Sequence, residues 1–200
     1  MLKTFFHKDG IEVGCDEAGR GPLAGPVFAA AVIWPKNLEV PEINDSKLLN
    51  EKARNELRVF IEKKSIAFAI QKIEVEEIEK INILQASIKA MHLALEQIET
   101  SFNRILVDGN KFNQFKNIKH HTIIKGDSKY LSIAAASILA KTYRDEYMIG
   151  LHKKHPCYNW KNNKGYGTQE HINAILENGL TSHHRKSFCY KIGIRYGKLF

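Results

Sequence analysis

The stretch Asp16-Glu17-Ala18-Gly19-Arg20-Gly21-Pro22-Leu23-Ala24-Gly25-Pro26-Val27 stands between two short β-rich segments, residues 11–15 and 27–34. Two acids therefore close a hydrophobic strand, and a glycine-rich turn carries the chain into the next. A carboxylate at the end of such a strand is partly desolvated and needs positive charge nearby; where several converge, a hard divalent cation supplies it. Successive side chains of a strand point to opposite faces, so Asp16 and Glu17 share a site only if the strand ends or bends there, as Ala18-Gly19 permits. The glycines beyond expose backbone N–H groups to an approaching sugar or phosphate, with Arg20 beside them. The turn has neither the Gly-Lys-Ser/Thr ending of a P-loop nor the spacing of a dinucleotide fingerprint, which excludes those nucleotide sites.

Outward from this stretch, residues 66–73, 104–107 and 121–124 also read as strands. Residues 75–98 read as one helix, because Ile81, Leu84, Ile88, Met91, Leu95 and Ile98 alternate at spacings of three and four and so share a face. A second helix, residues 131–150, opens with Ser132-Ile133-Ala134-Ala135-Ala136-Ser137, small side chains that let its backbone lie close on whatever it covers. Further helices span 47–63 and 169–177, the latter stopped by Asn178-Gly179. Strands interleaved with helices predict an α/β domain with a mixed sheet. The length predicts one domain over residues 1–200, with residues 156–200 as a C-terminal substrate-contacting segment packed on it.

Lys and Arg number 30 against 22 Asp and Glu, and the net charge of +8 favours a polyanionic partner such as nucleic acid. Hydrophobic residues at 44% and charged ones at 26% give the balance of a globular chain rather than a disordered or membrane one. The longest apolar stretch, residues 25–34, is too short to cross a bilayer, and the N-terminus lacks a signal-peptide pattern, so a cytoplasmic protein without a membrane partner is expected. Cys15, Cys157 and Cys189 never fall in a CxxC spacing, which argues for reduced thiols and against a zinc or redox centre.

Two further acids stand in comparable places: Asp108 after the strand 104–107, and Asp127 ahead of the small-residue helix. Taken singly, Asp108-Gly109 and Asp127-Ser128 are ordinary turn sequences. Four acids together, all oxygen donors, suit Mg²⁺ or Mn²⁺ rather than zinc. Two such ions roughly 4 Å apart would activate a water and stabilise the leaving oxygen of a phosphodiester, so an acidic site on a basic chain reads as a nuclease. His120-His121 and His183-His184 lack partners at zincin or finger spacing and read as surface or phosphate-proximal residues. Lys47, Lys141, Arg144, Arg185 and Ser187 are candidates for phosphate contacts, which position a duplex without reading its sequence. Lys141 lies four residues from both Ser137 and Asp145, and with Asp145 it reads as an ion pair within the helix.

The string from Asp16 to Val27 resembles the signature of the ribonuclease HII family. Matching motifs continue in order: Asn44-Asp45-Ser46-Lys47, Val107-Asp108-Gly109, Lys125-Gly126-Asp127, Ala135-Ala136-Ser137-Ile138-Leu139-Ala140-Lys141, Arg144-Asp145, Lys164-Gly165-Tyr166, and His184-Arg185 with Ser187-Phe188. The resemblance implies a ribonuclease H-like fold, a five-stranded mixed β-sheet flanked by α-helices, with a short helical C-terminal segment. It implies a metal site of Asp16, Glu17, Asp108 and Asp127 holding Mn²⁺ or Mg²⁺, two ions during catalysis; Asp16 is taken as the bridging ligand for its depth on the central strand, not from the resemblance.

It also implies that Gly19, Arg20 and Gly21 contact the backbone around a ribose 2′-hydroxyl, and that Tyr166 stacks on the next sugar. Lys47, Ser137, Lys141, Arg185 and Ser187 complete the expected substrate contacts. The implied activity is hydrolysis 5′ to ribonucleotides in RNA–DNA hybrids and at single ribonucleotides in duplex DNA, leaving 3′-hydroxyl and 5′-phosphate ends. Such an enzyme serves ribonucleotide excision and RNA primer removal, here as an expected monomer. With ten residues before the first strand, the extra N-terminal domain of the sister family, ribonuclease HIII, is not expected. Two rivals remain open: a catalytically silent binder of hybrids, and another nuclease on the same fold.

Overall fold

A computed structural model describes residues 2–38, 40, 50–195 and 198–199. Five strands carry the centre: β1 (Glu12–Ala18), β2 (Val27–Ile33), β3 (Ala67–Ile73), β4 (Arg104–Asp108) and β5 (Lys119–Ile123). They lie in the order β3-β2-β1-β4-β5. The β1–β2 and β2–β3 pairs are antiparallel and the β1–β4 and β4–β5 pairs parallel, which makes the expected mixed sheet. Alternation along β1 and β2 sorts the two faces. Val13, Cys15, Ala29, Ala31 and Ile33 pack against Ala86, Ala90, Met91 and Leu95 of α2 (Val75–Glu96). Ala30 and Val32 face Ile61 of α1 (Glu51–Lys64) and the alanine run of α3 (Leu131–Lys154). Each fully buried Ile or Leu in these layers contributes roughly 1.5–3 kcal/mol.

The small-residue run of α3 does what its composition predicts. A β-carbon on Gly14 of β1 would come within 2.5 Å of the Ile133 amide nitrogen, so helix and strand backbones lie nearly in contact. Gly14→Val therefore forces α3 off the sheet, at a cost of about 1–3 kcal/mol or more. Urea denaturation checks this: a midpoint equal to wild type would refute the close approach.

Several boundaries differ from the sequence reading, among them α3, which runs on past residue 150 to Lys154, and β5, which spans Lys119–Ile123 rather than 121–124. The strand at residues 11–15 runs on to Ala18, because β2 continues to pair with it through Ala18↔Phe28. The helix at 75–98 is broken at Asn82, whose φ of 66° is left-handed. Its side-chain oxygen accepts the N–H groups of Leu84 (3.0 Å) and Gln85 (3.2 Å), so Asn82 acts as the N-cap of a second helical segment. Ile88, Met91, Leu95 and Ile98 keep the buried face after this break, whereas Leu84 is only half-buried. The helix expected from residue 47 starts at Glu51, where the Asn50 side chain caps the Ala53 N–H at 2.9 Å. Residues 47–49 of that expectation, and with them the motif Asn44-Asp45-Ser46-Lys47, lie outside the described residues.

Beyond α3 the chain forms a 3₁₀ turn (Pro156–Tyr158), α4 (Trp160–Asn163), α5 (Gln169–Asn178), α6 (Lys186–Lys191) and the short strands β6 (Ile194–Arg195) and β7 (Lys198–Leu199). The Thr168 hydroxyl caps α5 at the His171 N–H, and the helix ends at the Asn178-Gly179 pair as expected. Trp160, Tyr158, Ile175 and Cys189 pack with Met148 and Leu151 of α3 and with Leu23 and Ala24 of the glycine turn. The C-terminal segment is thereby wrapped on the turn that follows the two acids. Among the described residues no helix is long and apolar enough to cross a membrane.

Candidate active site

The parallel pairing of β1 with β4 ends at Cys15↔Val107, so Asp16 and Asp108 follow as the next residues on adjacent strands. Asp16 is 5% exposed. Its Oδ1 accepts the Glu17 N–H at 2.7 Å, and the Ser137 hydroxyl of α3 donates to the same carboxylate. Glu17 pairs with Arg20 at 3.1 Å. Asp108 Oδ1 accepts the Gly126 N–H at 2.7 Å and so latches the 3₁₀ turn Gly126–Ser128 to the end of β4. Asp127 sits buried within that turn, in hydrogen-bond reach of the Ser128 hydroxyl at 3.3 Å.

The electrostatics of these acids are strained by their proximity. Burial, then the charge of Glu17, then that of Asp108 push the Asp16 carboxyl well above its usual range, against the opposing hydrogen bonds from Ser137 and the Glu17 amide. Burial raises Glu17 too, although Arg20 pulls it back, and Asp108 adds repulsion. Asp16, Glu17 and Asp108 thus lie within one another's field, and Asp127 is tied to the group through Gly126. Among the described residues no three His, Cys, Asp or Glu side chains are already drawn to the spacing of metal ligands. The donor set nonetheless fits a hard divalent cation: it is all oxygen, partly buried, and short of positive charge.

The glycine turn lies directly beyond. Gly19 has φ of 99°, and a β-carbon there would stand 2.5 Å from Cδ of Arg144, so only glycine fits above that side chain. Nothing is closer than 3.7 Å to the equivalent position of Gly21, where the nearest atom is Cε1 of Tyr166. Tyr166 is 44% exposed and faces out beside the turn. Tyr166, Gly21 and Arg20 form one open surface next to the acids.

Several expected contacts are placed otherwise. Arg185 is 0% exposed and donates to the carbonyls of Gly19 (2.6 Å), Arg20 (3.0 Å) and Gly25 (2.8 and 2.9 Å), so its guanidinium is spent on the turn and does not reach a phosphate. Burial, with Arg144 close by, pulls Arg185 down to about 9. Arg144 is likewise buried and bonded to backbone carbonyls. The Ser187 hydroxyl donates to Glu79 of α2 at 2.7 Å, a carboxylate that repels phosphate. Ser137 serves Asp16 and keeps a half-buried oxygen. Lys141 makes the expected ion pair with Asp145 at 2.6 Å.

His184 is buried and not at the surface, because the Thr181 N–H (2.9 Å), His171 (3.2 Å) and the packed rings of Tyr158 and Trp160 enclose it. Burial, then the neighbouring histidines, lowers it to about 3, so it is neutral at any physiological pH. The buried role of Arg144 was readable as a pattern: Ala140, Arg144, Met148 and Leu151 fall at helical spacing on one apolar face of α3.

A β3-β2-β1-β4-β5 mixed sheet with helices on both faces and acids at the ends of its central strands defines a ribonuclease H-like nuclease. The ribonuclease HII family profile matches residues 13–191. Ribonuclease HII of Bacteroides thetaiotaomicron is 56% identical over 188 residues, covering 94% of each chain. The structure of ribonuclease H2 from Pyrococcus horikoshii OT3 superposes with a TM-score of 0.74 at 23% identity, covering 90% of this chain and 96% of that one. Bst-RNase HIII, solved in complex with Mn²⁺, gives 0.68 at 18% identity over 84% of this chain and 63% of its own. The chain belongs to the ribonuclease HII family and is a ribonuclease, a hydrolase acting on nucleic acid.

Proposed function

We propose that this ribonuclease hydrolyses the phosphodiester 5′ to ribonucleotides, in RNA–DNA hybrids and at single ribonucleotides within duplex DNA, leaving 3′-hydroxyl and 5′-phosphate ends. The observation that carries the reading is the juxtaposition of three mutually repelling carboxylates, Asp16, Glu17 and Asp108, with an open surface of Arg20, Gly21 and Tyr166. Asp16, Glu17, Asp108 and Asp127 are the residues that would hold Mn²⁺ or Mg²⁺, two ions in the working complex. When bound, such ions polarise the phosphodiester and lower the pKa of water.

The chain's own residues do the rest. Ser137 and the Glu17 amide orient the Asp16 carboxylate. The latch from Gly126 to Asp108 fixes two ligands from distant parts of the chain. Gly21 leaves its backbone open to a 2′-hydroxyl, the group that distinguishes RNA from DNA at one sugar. Arg20, half-exposed beside Glu17, meets a phosphate, and the Tyr166 ring stacks on the following sugar. We read residues 1–200 as one catalytic domain, acting as a monomer in the cytoplasm.

A duplex carrying one ribonucleotide tests this. A single nick 5′ to it with Mn²⁺ or Mg²⁺, and none with EDTA, is expected; equal cutting of all-DNA duplex would refute ribonucleotide sensing. Tyr166→Ala is expected to lower kcat/KM on the single-ribonucleotide duplex by about 10-fold or more, a loss of roughly 1.4 kcal/mol or more of transition-state stabilisation. Its effect on long hybrids is smaller, and equal losses on both would remove the role given to Tyr166.

A further inference from the structure

Two arginines are buried beneath the glycine turn, and among the described residues neither has a carboxylate as a hydrogen-bond partner. Arg144, from the middle of α3, donates to the carbonyls of Pro26 (3.1 Å), Ala24 (3.1 Å) and Lys164 (3.0 Å). It therefore bridges the far end of the glycine turn to the Lys164-Gly165-Tyr166 turn. Arg185, from the N-terminal edge of α6, draws the near end, Gly19 and Arg20, onto the far end at Gly25. Backbone bonds complete the junction: Leu23 N–H to Gly165 O at 2.8 Å, Arg185 N–H to Leu23 O at 2.7 Å, and Gly25 N–H to His183 O at 2.9 Å.

Unpaired buried charges are costly, and truncating a buried polar network exposes the same cost in reverse. Their presence here coincides with the one place where two recognition elements from distant sequence must keep a fixed distance. A lysine retains the charge but offers no planar fork able to span several carbonyls.

We infer that Arg144 and Arg185 are specificity-determining positioning residues that lock Gly19–Gly21 and Tyr166 into a single rigid gauge for a ribonucleotide followed by a deoxyribonucleotide. The inference rests on the function proposed above. A long hybrid offers many registers in which some ribonucleotide reaches the acids, so a loosened gauge still cuts it. A single embedded ribonucleotide offers one register, so the same loosening removes productive alignment.

The test is kcat/KM of Arg144→Lys and Arg185→Lys on a single-ribonucleotide duplex and on a continuous hybrid. A misplacement of about 1 Å costs on the order of 10²-fold, and that loss is expected on the single-ribonucleotide duplex, against less than about 10-fold on the hybrid. Equal losses on both substrates, or none, would overturn the inference even if the melting temperature fell. Amide hydrogen exchange on the wild type decides the lock without any variant. Leu23, Gly25 and Arg185 are expected to exchange as slowly as the core of β1, whereas rapid exchange typical of surface turns would sink it. A wild type that nicks neither substrate would count against the proposed function, and the exchange measurement would still decide whether the turn is locked.

Discussion

Asp16→Asn is expected to lower cleavage by roughly 10³-fold or more and, at the same time, to make the metal-free protein more stable at neutral pH. Both effects follow from one circumstance. Asp16 is buried beside Glu17 and Asp108, and its carboxyl is raised well above the usual value of 3.8 by that burial and those charges. A group whose folded pKa lies above its unfolded pKa binds more protons in the folded state. Its contribution to stability is whole below about pH 3.8, and is lost as pH rises through the elevated folded value. Asparagine keeps an oxygen for the Glu17 N–H and carries no charge, so the loss on going to neutral pH is reduced.

On the proposed function, a divalent cation would offset the same repulsion in the wild type. At 100 times its dissociation constant it stabilises the fold by about 2.7 kcal/mol. Thermal melts of both proteins at pH 5 and pH 8, with EDTA and with Mn²⁺, check the set. The account expects Mn²⁺ to raise the wild-type midpoint far more than that of Asp16→Asn. A variant less stable than wild type at pH 8 without metal would mean that Asp16 is a structural acid, compensated by something other than a cation.

Asp108 separates position from charge in a second way. Asp108→Asn retains an oxygen to accept the Gly126 N–H, so the turn that carries Asp127 stays latched and the fold is preserved. Cleavage is nonetheless expected to fall by a factor comparable to that for Asp16→Asn, with binding to an uncut duplex retained. Asp108→Ala loses the latch as well, leaving the buried Gly126 N–H without its partner at a cost of about 1–3 kcal/mol. Activity, duplex affinity and urea midpoints of the two variants form the comparison. If Asp108→Asn cut at a tenth of the wild-type rate or better, Asp108 would hold the turn and nothing more.

The elements were legible in the sequence where a single period governed them. β2, β3 and β4 follow β-rich runs, and the small residues opening α3 announce a helix laid tightly on the sheet, as Gly14 confirms. The break at Asn82 was hidden because apolar spacing persists across it: the side-chain cap that makes the break is local, whereas the periodicity is an average over several turns. The extension of β1 to Ala18 depends on β2 as a partner, which composition does not show.

Around the candidate site, the acids could be chosen from their places at strand ends and turns. Arg185 could not be told from Arg20 as inward-facing from the sequence. Arg185 and Arg20 both sit beside glycine-turn residues in space, yet one is enclosed by carbonyls and the other faces solvent. The surroundings of Arg185 come from the glycine turn, some 160 positions away in the chain, so no local pattern signals them. His184, expected at the surface or near a phosphate, is instead enclosed by His171 of α5 and by the Thr181 turn.

The claim beneath all of this is that acids from β1, β4 and the Gly126–Ser128 turn close on the same cations. Mn²⁺ titration followed by the electron paramagnetic resonance of the free ion, on the wild type and on Asn or Gln variants of Asp16, Glu17, Asp108 and Asp127, measures that directly. Saturable binding that each of the four substitutions weakens is the predicted result. Wild-type protein that leaves Mn²⁺ free, or an Asp127→Asn variant that binds it as tightly as wild type, would contradict the account.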